Sequence, residues 1–328
     1  MSVTTAQGFL AAGVAAGLKS TSAKDVALVV NIGPQARAAA VFTTNRFAAA
    51  PVIWSRQILL GNDGRIVVLN SGGANACTGP QGFLDTHATA EFVSAELTST
   101  GTIEVGAGEV FVCSTGLIGE PLNMPALNMG VKQAITDLSA EGGIDAALAI
   151  MTTDTQHKVS QVTHCGYSIG GMAKGAGMLA PGMATMLSVI TTDADVDAEL
   201  LQKALEQATH HTFDRLDSDG CMSTNDTVIL LANSQSGVTP DPNQFEAALT
   251  QVCEELAQQL ITDAEGATKN IRIQVADAES EEDAVQVGRA VARSNLFKCA
   301  MFGEDPNWGR ILSAVGTTQA TFESDQVD

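Results

Sequence analysis

The sequence predicts a mixed α/β fold, and three observations support this class. Short apolar segments rich in β-branched residues, bounded by Gly, Asn or Ser, are typical of buried strands. Longer segments between them have the three-to-four-residue apolar spacing of helices. Hydrophobic residues make up 45% of the 328 residues and charged residues 16%, which provides an ample core and excludes global disorder.

The strand pattern occurs in four segments of the first half of the chain, in which β-branched residues cluster between turn-forming residues. These predicted strands are Asp25–Asn31, Ala39–Thr43, Arg65–Asn70 and Glu109–Cys113. Near the other end, apolar and polar side chains alternate in Ile271–Val275, so we expect a half-buried strand there as well.

Two later segments have clear helical signals. Asp241 and Pro242 open the first, as an N-cap and a first-turn proline do. Its apolar residues share one helical face: Phe245, Leu249, Val252, Leu256 and Leu260. Ser280, followed three positions later by Asp283, is a variant of the capping box and predicts the start of the second helix.

The charge balance excludes two classes of partner. A net charge of −20 provides no basic surface to replace the counterions of a phosphate backbone or to bind an anionic bilayer. No stretch approaches the length of a membrane span. We therefore expect no nucleic-acid partner and no membrane association.

The cysteines predict free thiols in a cytoplasmic protein. All six are dispersed, none forms a CxxC pair or has zinc-ligand spacing from a histidine, and no secretory leader precedes them. We expect no metal site. Cys165 lies beside His164, but adjacency alone does not make a Cys–His pair, so we interpret Cys165 as a small buried thiol.

The most informative stretch is Gly170–Asp193, which places a Lys174-Gly-x-Gly loop and Pro181 before an apolar run that starts at Met186. Glycines and a proline together can hold one peptide bond in a strained pose. If the Ala184–Thr185 bond were cut, Thr185 would carry a hydroxyl nucleophile and an α-amine base on one residue. On local pattern alone, a glycine-rich turn that enters a core strand is favoured.

Other catalytic and binding patterns are missing from the sequence. The five histidines form no constellation with a serine and an acid, and there is no GxSxG elbow. A lysine in a glycine-rich loop is also typical of a phosphate-binding site. However, Gly175 follows Lys174 where the P-loop pattern requires Ser or Thr. A nucleotide-binding module therefore stays a minor alternative.

Six motifs in order give the chain a resemblance to a known family. It resembles the ornithine acetyltransferases, the self-cleaving glutamate N-acetyltransferases of arginine biosynthesis, from about Gly8 to about Gly316. The motifs are Cys113–Gly119, Met151–Thr155, Gly170–Leu187, Ser223–Thr227, Asp263–Gly266 and Asp305–Arg310.

The resemblance implies a fold and an activity. The fold would be a layered αββα sandwich with a smaller C-terminal α/β domain, and cleavage between Ala184 and Thr185 would give an α chain (1–184) and a β chain (185–328). Two α and two β chains would form a heterotetramer. Thr185 would take acetyl from N-acetylornithine and pass it to glutamate without a cofactor, and acetyl-CoA stays open as a second acetyl donor.

The resemblance also assigns the site residues. Thr115 and Gly116 would form the oxyanion hole, although a strand-ending turn is the simpler local interpretation. Lys174 would bind the substrate carboxylate, with a hydroxyl from Thr152 (Thr153 being the adjacent alternative) beside Thr185. Glu265 would bind the amino end of ornithine or glutamate and is otherwise an ordinary helix-end carboxylate. The short polar side chains of 223–226 either support the site or form a tight turn.

Two departures leave alternatives open. Gly73 stands where the family pattern usually has Asn, and the sequence ends at Asp328 without the further strands and polar tail that the resemblance implies, so we expect the C-terminal domain to be incomplete. The alternatives are a truncated or inactive paralogue and a related self-cleaving aminopeptidase. Acetyl transfer to glutamate, as opposed to release to water, distinguishes them.

Overall fold

Two β-sheets lie face to face at the centre of the molecule, and helices cover the outer side of each. The computed structural model describes residues 2–180 and 186–327. Its strands are β1 (Phe9–Val14), β2 (Val26–Asn31), β3 (Arg37–Phe42), β4 (Ile66–Gly73), β5 (Val110–Leu117), β6 (Lys158–His164), β7 (Tyr167–Lys174), β8 (Leu187–Thr192) and β9 (Thr227–Ala232).

The helices of the described residues fall into two groups along the chain. Those before β6 are α1 (Ala50–Leu59), α2 (Gly79–Ser99), α3 (Met124–Thr136) and α4 (Gly143–Ala149). Those after β8 are α5 (Ala198–His211), α6 (Pro242–Thr262), α7 (Glu281–Arg293), α8 (Asn295–Phe302) and α9 (Trp308–Val315). Within the described ranges, no helix combines the length and the apolar composition that crossing a bilayer requires.

Each sheet contains one parallel pair of strands. The first sheet has the order β1-β2-β4-β5, in which β4 and β5 are parallel and the other neighbours antiparallel. The second has the order β3-β9-β8-β7-β6, in which β8 and β9 are parallel. The strand that follows Thr185 in sequence, β8, therefore lies in the middle of the second sheet.

Alternating side chains of the second sheet hold the layers together. Ile229 and Leu231 belong to the apolar core that this sheet shares with the first sheet. Val228, Leu230 and Ala232 belong to a second core, which includes buried residues of α5 and α6. Because successive side chains of a strand point to opposite faces, one apolar strand supplies both cores.

The outer helices of the first sheet complete the layers. Buried residues of α2, α3 and α4 contribute to the same core as that sheet, among them Val93, Leu127 and Ala146. The order is thus helices, sheet, sheet, helices, and the predicted α/β class with αββα layering is confirmed.

The strands predicted in the first half of the chain and the two helix starts agree with the structure. The four predicted strands occur as β2, β3, β4 and β5, with ends displaced by at most four residues. Asp241 accepts hydrogen bonds from the backbone N–H groups of Asn243 and Gln244 at the start of α6. Ser280 accepts one from Asp283 at the start of α7. Both caps were readable because a cap depends only on neighbouring residues.

The strand predicted at Ile271–Val275 is wrong. The segment is irregular and partly exposed, and the described residues after it form α7, α8 and α9 around a small apolar cluster. No strand of the described residues lies beside it to pair with its backbone. Alternation alone does not make a strand, because the backbone groups also need a partner strand.

The prediction for Cys165 also needs correction. All six cysteines are free, as expected, but Cys165 is exposed. It lies with Gly166 in the turn between β6 and β7, and both have positive φ, 48° and 91°. These signs at both central positions are those of a type I′ hairpin turn, which places the side chain at the surface.

We predict that Gly13→Ala destabilises the fold through the contact between β1 and α4. A Cβ at Gly13 would lie 1.9 Å from the carbonyl oxygen of Asp145, so a helix backbone must move. Overpacking of this kind costs about 1–3 kcal/mol. Urea denaturation should show the loss, whereas Gly108→Ala, whose Cβ meets nothing within 4 Å, should stay within about 0.5 kcal/mol. Equal midpoints for the two variants would contradict the close approach.

Candidate active site

The connection between β7 and β8 carries the proposed cleavage position. Lys174 ends β7 and is paired with Leu187, the first residue of β8. Ala184 and Thr185 lie outside the described residues, so the structure gives no position for the proposed nucleophile. The strand register nevertheless brings the residues that follow Thr185 next to Lys174.

Lys174 is the centre of a buried polar cluster. Its Nζ donates hydrogen bonds to Thr152 Oγ1 at 2.7 Å and to Thr115 Oγ1 at 3.2 Å. Three of the predicted site residues, distant in sequence, are therefore in direct contact. Thr153, the adjacent alternative to Thr152, is exposed.

Gly116 follows Thr115 at the end of β5, where backbone from β4 comes very close. Its φ is +128°, and a Cβ would lie 2.6 Å from the backbone of Gly72 and of Gly73. A glycine is therefore required. Thr115 is buried whereas Gly116 is exposed, so the strand end opens from the polar cluster towards solvent.

An ion network behind Lys174 was missed by the sequence analysis. Asp154 lies 4.0 Å from Lys174 Nζ, accepts a hydrogen bond from Lys158 Nζ at 2.6 Å, and accepts another from the N–H of Gly175 at 2.7 Å. Lys158 also donates to Asp263 at 2.6 Å. Two lysines and two carboxylates thus alternate in a region with almost no solvent access.

Two members lie within motifs quoted above, since Asp154 is in Met151–Thr155 and Asp263 in Asp263–Gly266. Nothing in the sequence indicated that Lys158 is buried, because a lone lysine at the start of a strand is usually solvated. Sequence spacing gave no sign that Lys158 bridges the two motifs.

Burial and charge shift the pKa values within this network. Burial lowers the pKa of Lys174 to about 8, against the opposing effect of Asp154. For Asp154, burial favours the neutral acid, but Lys174 and Lys158 prevail, and its pKa lies below the usual value. The same holds for Asp263 with Lys158 and Thr155. Both carboxylates are therefore ionised at neutral pH.

Glu265 lies beside the loop that leads to the cleavage position. It follows the end of α6, and its N–H donates to the carbonyl oxygen of Ala176 at 2.7 Å. A Cβ placed on Gly177 would be 3.3 Å from the Glu265 carboxyl carbon. The side chain is exposed, and it is not among the described hydrogen-bond and ion-pair partners of Lys174, which are Thr115, Thr152 and Asp154. Glu265 is connected to the ion network only through the chain, because Asp263, two residues earlier, accepts a hydrogen bond from Lys158.

The polar turn at 223–226 is buried and joins the two sheets. Asn225 Nδ2 donates to the carbonyl oxygens of Ala74 at 2.7 Å and Ser114 at 2.8 Å, just before Thr115. Asp226 Oδ1 accepts the N–H of Met186 at 3.1 Å. Of the two interpretations of this segment, the contacts favour support of the site, because the turn touches both Ser114 and the residue after Thr185.

Comparison with known proteins identifies the family. Residues 10–328 match the profile of the ArgJ family. The chain belongs to this family.

Its relatives cover the whole chain. It is 61% identical over all of its residues to the arginine biosynthesis bifunctional protein ArgJ of Streptomyces avermitilis, and 58% identical to that of Thermobifida fusca, covering 84% of each relative's length. Among solved structures, ornithine acetyltransferase from Mycobacterium tuberculosis, complexed with ornithine, is 54% identical with a TM-score of 0.54. That match covers 57% of this chain and 96% of the other. The family assignment makes this chain an arginine-biosynthesis protein of the acyltransferase class.

One cluster of side chains in this ArgJ-family chain consists of residue types that bind metals, but it lies outside the predicted site. In the part of the chain that the structure describes, His210, His211 and Glu281 bring ligand atoms within 4.8 Å of one another, all exposed. Arg215 donates to Glu281 Oε1 at 2.5 Å. The guanidinium already compensates the carboxylate, so the group is best described as a surface ion pair. His210 and Glu281 line a cleft of about 550 Å³ that none of the predicted site residues lines.

We predict that Lys174 makes stability depend on pH above neutrality. Its pKa falls from 10.5 to about 8 on folding, so between these values the unfolded chain holds a proton that the folded chain lacks. The free energy of unfolding then rises with pH across this window, by about 3 kcal/mol in total. Lys174→Met removes the titrating group. In urea denaturation, the free energy of unfolding of the wild type should therefore rise by about 3 kcal/mol relative to that of the variant between pH 8 and pH 10.5. A constant difference would contradict burial of the ammonium.

Proposed function

We propose that this chain transfers acetyl from N-acetylornithine to glutamate through an acetyl-Thr185 intermediate, after cutting itself between Ala184 and Thr185. The observation that carries the proposal is the pairing of Lys174 with Leu187. Leu187, two residues after Thr185 in sequence, therefore lies beside Lys174, whose Nζ contacts Thr115 and Thr152. The names of the relatives supply the reaction class.

Maturation uses the same hydroxyl as transfer. Thr185 Oγ attacks the carbonyl carbon of Ala184, the Ala184–Thr185 amide bond breaks, and Ala184 is left as an ester on the Thr185 oxygen. Water hydrolyses this ester and leaves a carboxylate on Ala184 and a free α-amine on Thr185. The amine then serves as the base for its own hydroxyl, which no histidine is needed to activate.

Acetyl transfer is a ping-pong cycle. Thr185 Oγ attacks the acetyl carbon of N-acetylornithine, ornithine leaves with a proton on its amine, and the acetyl group stays on the oxygen. The amine of glutamate then attacks the same carbon and restores the hydroxyl. The cycle needs no cofactor, and acetyl-CoA would enter only as another acetyl donor at the first step.

Lys174 prepares Thr115 for its role at the oxyanion. An ammonium has no lone pair, so the 3.2 Å hydrogen bond runs from Lys174 Nζ to Thr115 Oγ1. The hydroxyl hydrogen of Thr115 is thereby left free to donate elsewhere. Together with the Gly116 N–H at the open strand end, it supplies two donors for the tetrahedral intermediate, each worth roughly 2.7–4 kcal/mol.

The substrate's two charged ends have matching groups. Lys174, next to Thr152, is the cation for the α-carboxylate. Glu265, packed beside Gly177 at the other side of the same loop, is the anion for the amino end. An amino acid held by a cation and an anion is oriented as well as bound.

The proposed α chain (1–184) and β chain (185–328) share one sheet. Strand β7 belongs to the first and β8 to the second, and they are hydrogen-bonded over six residue pairs from Ile169↔Thr192 to Lys174↔Leu187. The cut would therefore leave the two chains associated. We propose two α and two β chains as the mature assembly, following the resemblance.

We predict that Thr185→Ala yields one uncut chain of about the full mass, 33.9 kDa. Without the hydroxyl nothing attacks the Ala184 carbonyl, whereas Thr185→Ser keeps the hydroxyl and should cut slowly. Intact mass spectrometry separates these outcomes and detects acetyl on Thr185 in the wild type. Two fragments from Thr185→Ala would contradict the proposal.

We predict that Lys174→Met lowers kcat/KM for N-acetylornithine by about 30-fold to several thousand-fold, equivalent to roughly 2–5 kcal/mol. Loss of the carboxylate partner raises KM, and loss of the hydrogen bond to Thr115 lowers kcat. Lys174→Arg should restore little, because a planar guanidinium cannot replace a compact ammonium in a buried cluster. Steady-state kinetics with N-acetylornithine and glutamate test this, and unchanged values in both variants would place Lys174 outside the pocket.

A further inference from the structure

The loop between β1 and β2 brings a second lysine to the candidate site. Its backbone packs against the end of β4, because a Cβ on Gly72 would lie 2.8 Å from the carbonyl oxygen of Leu18. Gly72 is paired with Gly116 of β5. Lys19, the residue after Leu18, therefore lies close to the strand end that opens from the polar cluster towards solvent.

Asp25 fixes the shape of this loop. Its side chain is buried, and Oδ2 accepts the backbone N–H groups of Leu18 at 2.6 Å and of Lys19 at 3.1 Å. Its carbonyl oxygen accepts the N–H of Ser71 at 2.9 Å, and Ser71 is paired with Thr115 of β5. The backbone of Lys19 is thus held in a constant position relative to the strand that carries the proposed oxyanion donors.

The ammonium group of Lys19 has the capacity to bind an anion. The side chain is half-buried, and Nζ donates a hydrogen bond to the carbonyl oxygen of Lys24 at 2.7 Å. In residues 2–180 and 186–327, no carboxylate forms an ion pair with it, and the nearby Asp25 carboxylate already accepts backbone N–H groups of the loop. An ammonium has three donors, so two of them are available to a ligand.

Lys19 and Lys174 also act on each other electrostatically. Burial lowers the pKa of Lys19, and the charges of Asp25 and Asp154 oppose this effect. Burial lowers the pKa of Lys174 to about 8 against the opposing effect of Asp154, and the positive charge of Lys19 contributes to the lowering. A ligand with two carboxylates would relieve the repulsion between the two ammonium groups.

The two proposed substrates need opposite charges at their far ends. Beyond the α-carboxylate, for which Lys174 is the cation, N-acetylornithine ends in an ammonium that Glu265 matches. Glutamate ends in a second carboxylate, which Glu265 repels. Lys158 is not available to this group, because its side chain is fully buried and already paired with two carboxylates. Lys19 is half-buried and has no carboxylate partner among the described residues, so it is the cation that suits the second carboxylate.

We propose that Lys19 binds the side-chain carboxylate of glutamate and thereby determines which amino acid accepts the acetyl group. The α-carboxylates of both substrates occupy the same position at Lys174. Their side chains bind groups of opposite charge, Glu265 for ornithine and Lys19 for glutamate. This inference rests on the proposed function, since it takes N-acetylornithine as the donor and glutamate as the acceptor.

The test compares glutamate with glutamine as acetyl acceptors, because an amide has the shape of a carboxylate without its charge. With N-acetylornithine as the donor, mass spectrometry of the N-acetylated products gives kcat/KM for each acceptor. We expect Lys19→Met to lower the value for glutamate by about 10-fold to 100-fold, the loss expected for one hydrogen bond to a charged group. The value for glutamine and the KM for N-acetylornithine should stay within about 2-fold. A purely structural role for Lys19 predicts equal losses for both acceptors.

Lys24→Met is the matched control, because it removes the same charge from the same loop. Lys24 Nζ lies 2.6 Å from Asp145 Oδ1 and donates to the carbonyl oxygen of Gly13 at 2.9 Å, so this side chain belongs to the contact with α4. Its ratio of kcat/KM for glutamate to kcat/KM for glutamine should equal that of the wild type. Lys19→Arg keeps the cation and should keep most of the preference for glutamate.

The possible results separate this inference from the proposed function. If the wild type uses glutamine as well as glutamate, Lys19 does not select the acceptor, and this result does not depend on the folding of any variant. If Lys19→Met keeps the wild-type ratio, the inference fails while acetyl transfer stands. If the wild type forms no N-acetylglutamate from N-acetylornithine, the proposed function fails and the inference fails with it.

Discussion

The buried alternation of two lysines with two aspartates is the interaction on which the candidate site depends. Lys174, Asp154, Lys158 and Asp263 come from β7, the loop before β6, β6 and the end of α6. Each charge is paired in a region without solvent, so removal of one member would leave its partners buried and unpaired, at a cost of about 3–5 kcal/mol. The network thereby fixes Lys174 and the Gly175 N–H, where the connection to β8 begins.

The second constraint is the junction between the two sheets. The donors proposed for the oxyanion are on β5 of the first sheet, whereas Lys174 is on β7 of the second. Asn225 crosses between the sheets by donating to Ala74 and Ser114. Because face-to-face packing of apolar layers leaves some freedom to slide, a directional hydrogen bond at this end sets the distance from Thr115 to Lys174.

The position of β8 would allow the fold to tolerate the proposed cut before this strand. This strand has hydrogen-bonded neighbours on both sides, antiparallel β7 and parallel β9. Its backbone groups are satisfied along Leu187–Thr192 whether or not the chain continues before Met186. A nucleophile at the start of such a strand would be held rigidly by the centre of the sheet. Precise positioning of a reacting group requires this rigidity.

The sequence by itself determined the features that depend on local periodicity and neighbouring residues. The apolar stretches that became β2 and β4 and the caps at Asp241 and Ser280 belong to this group, and the order of the motifs indicated the family. The tertiary structure decided what depends on distant partners. Ile271–Val275 alternates like a strand but lacks a neighbour, Lys158 joins two motifs that sequence spacing leaves separate, and Asp226 reaches Met186 only because β8 and β9 are adjacent. Hydrogen bonds and ion pairs act over about 3 Å in space, and a one-dimensional pattern does not specify which distant residues come that close.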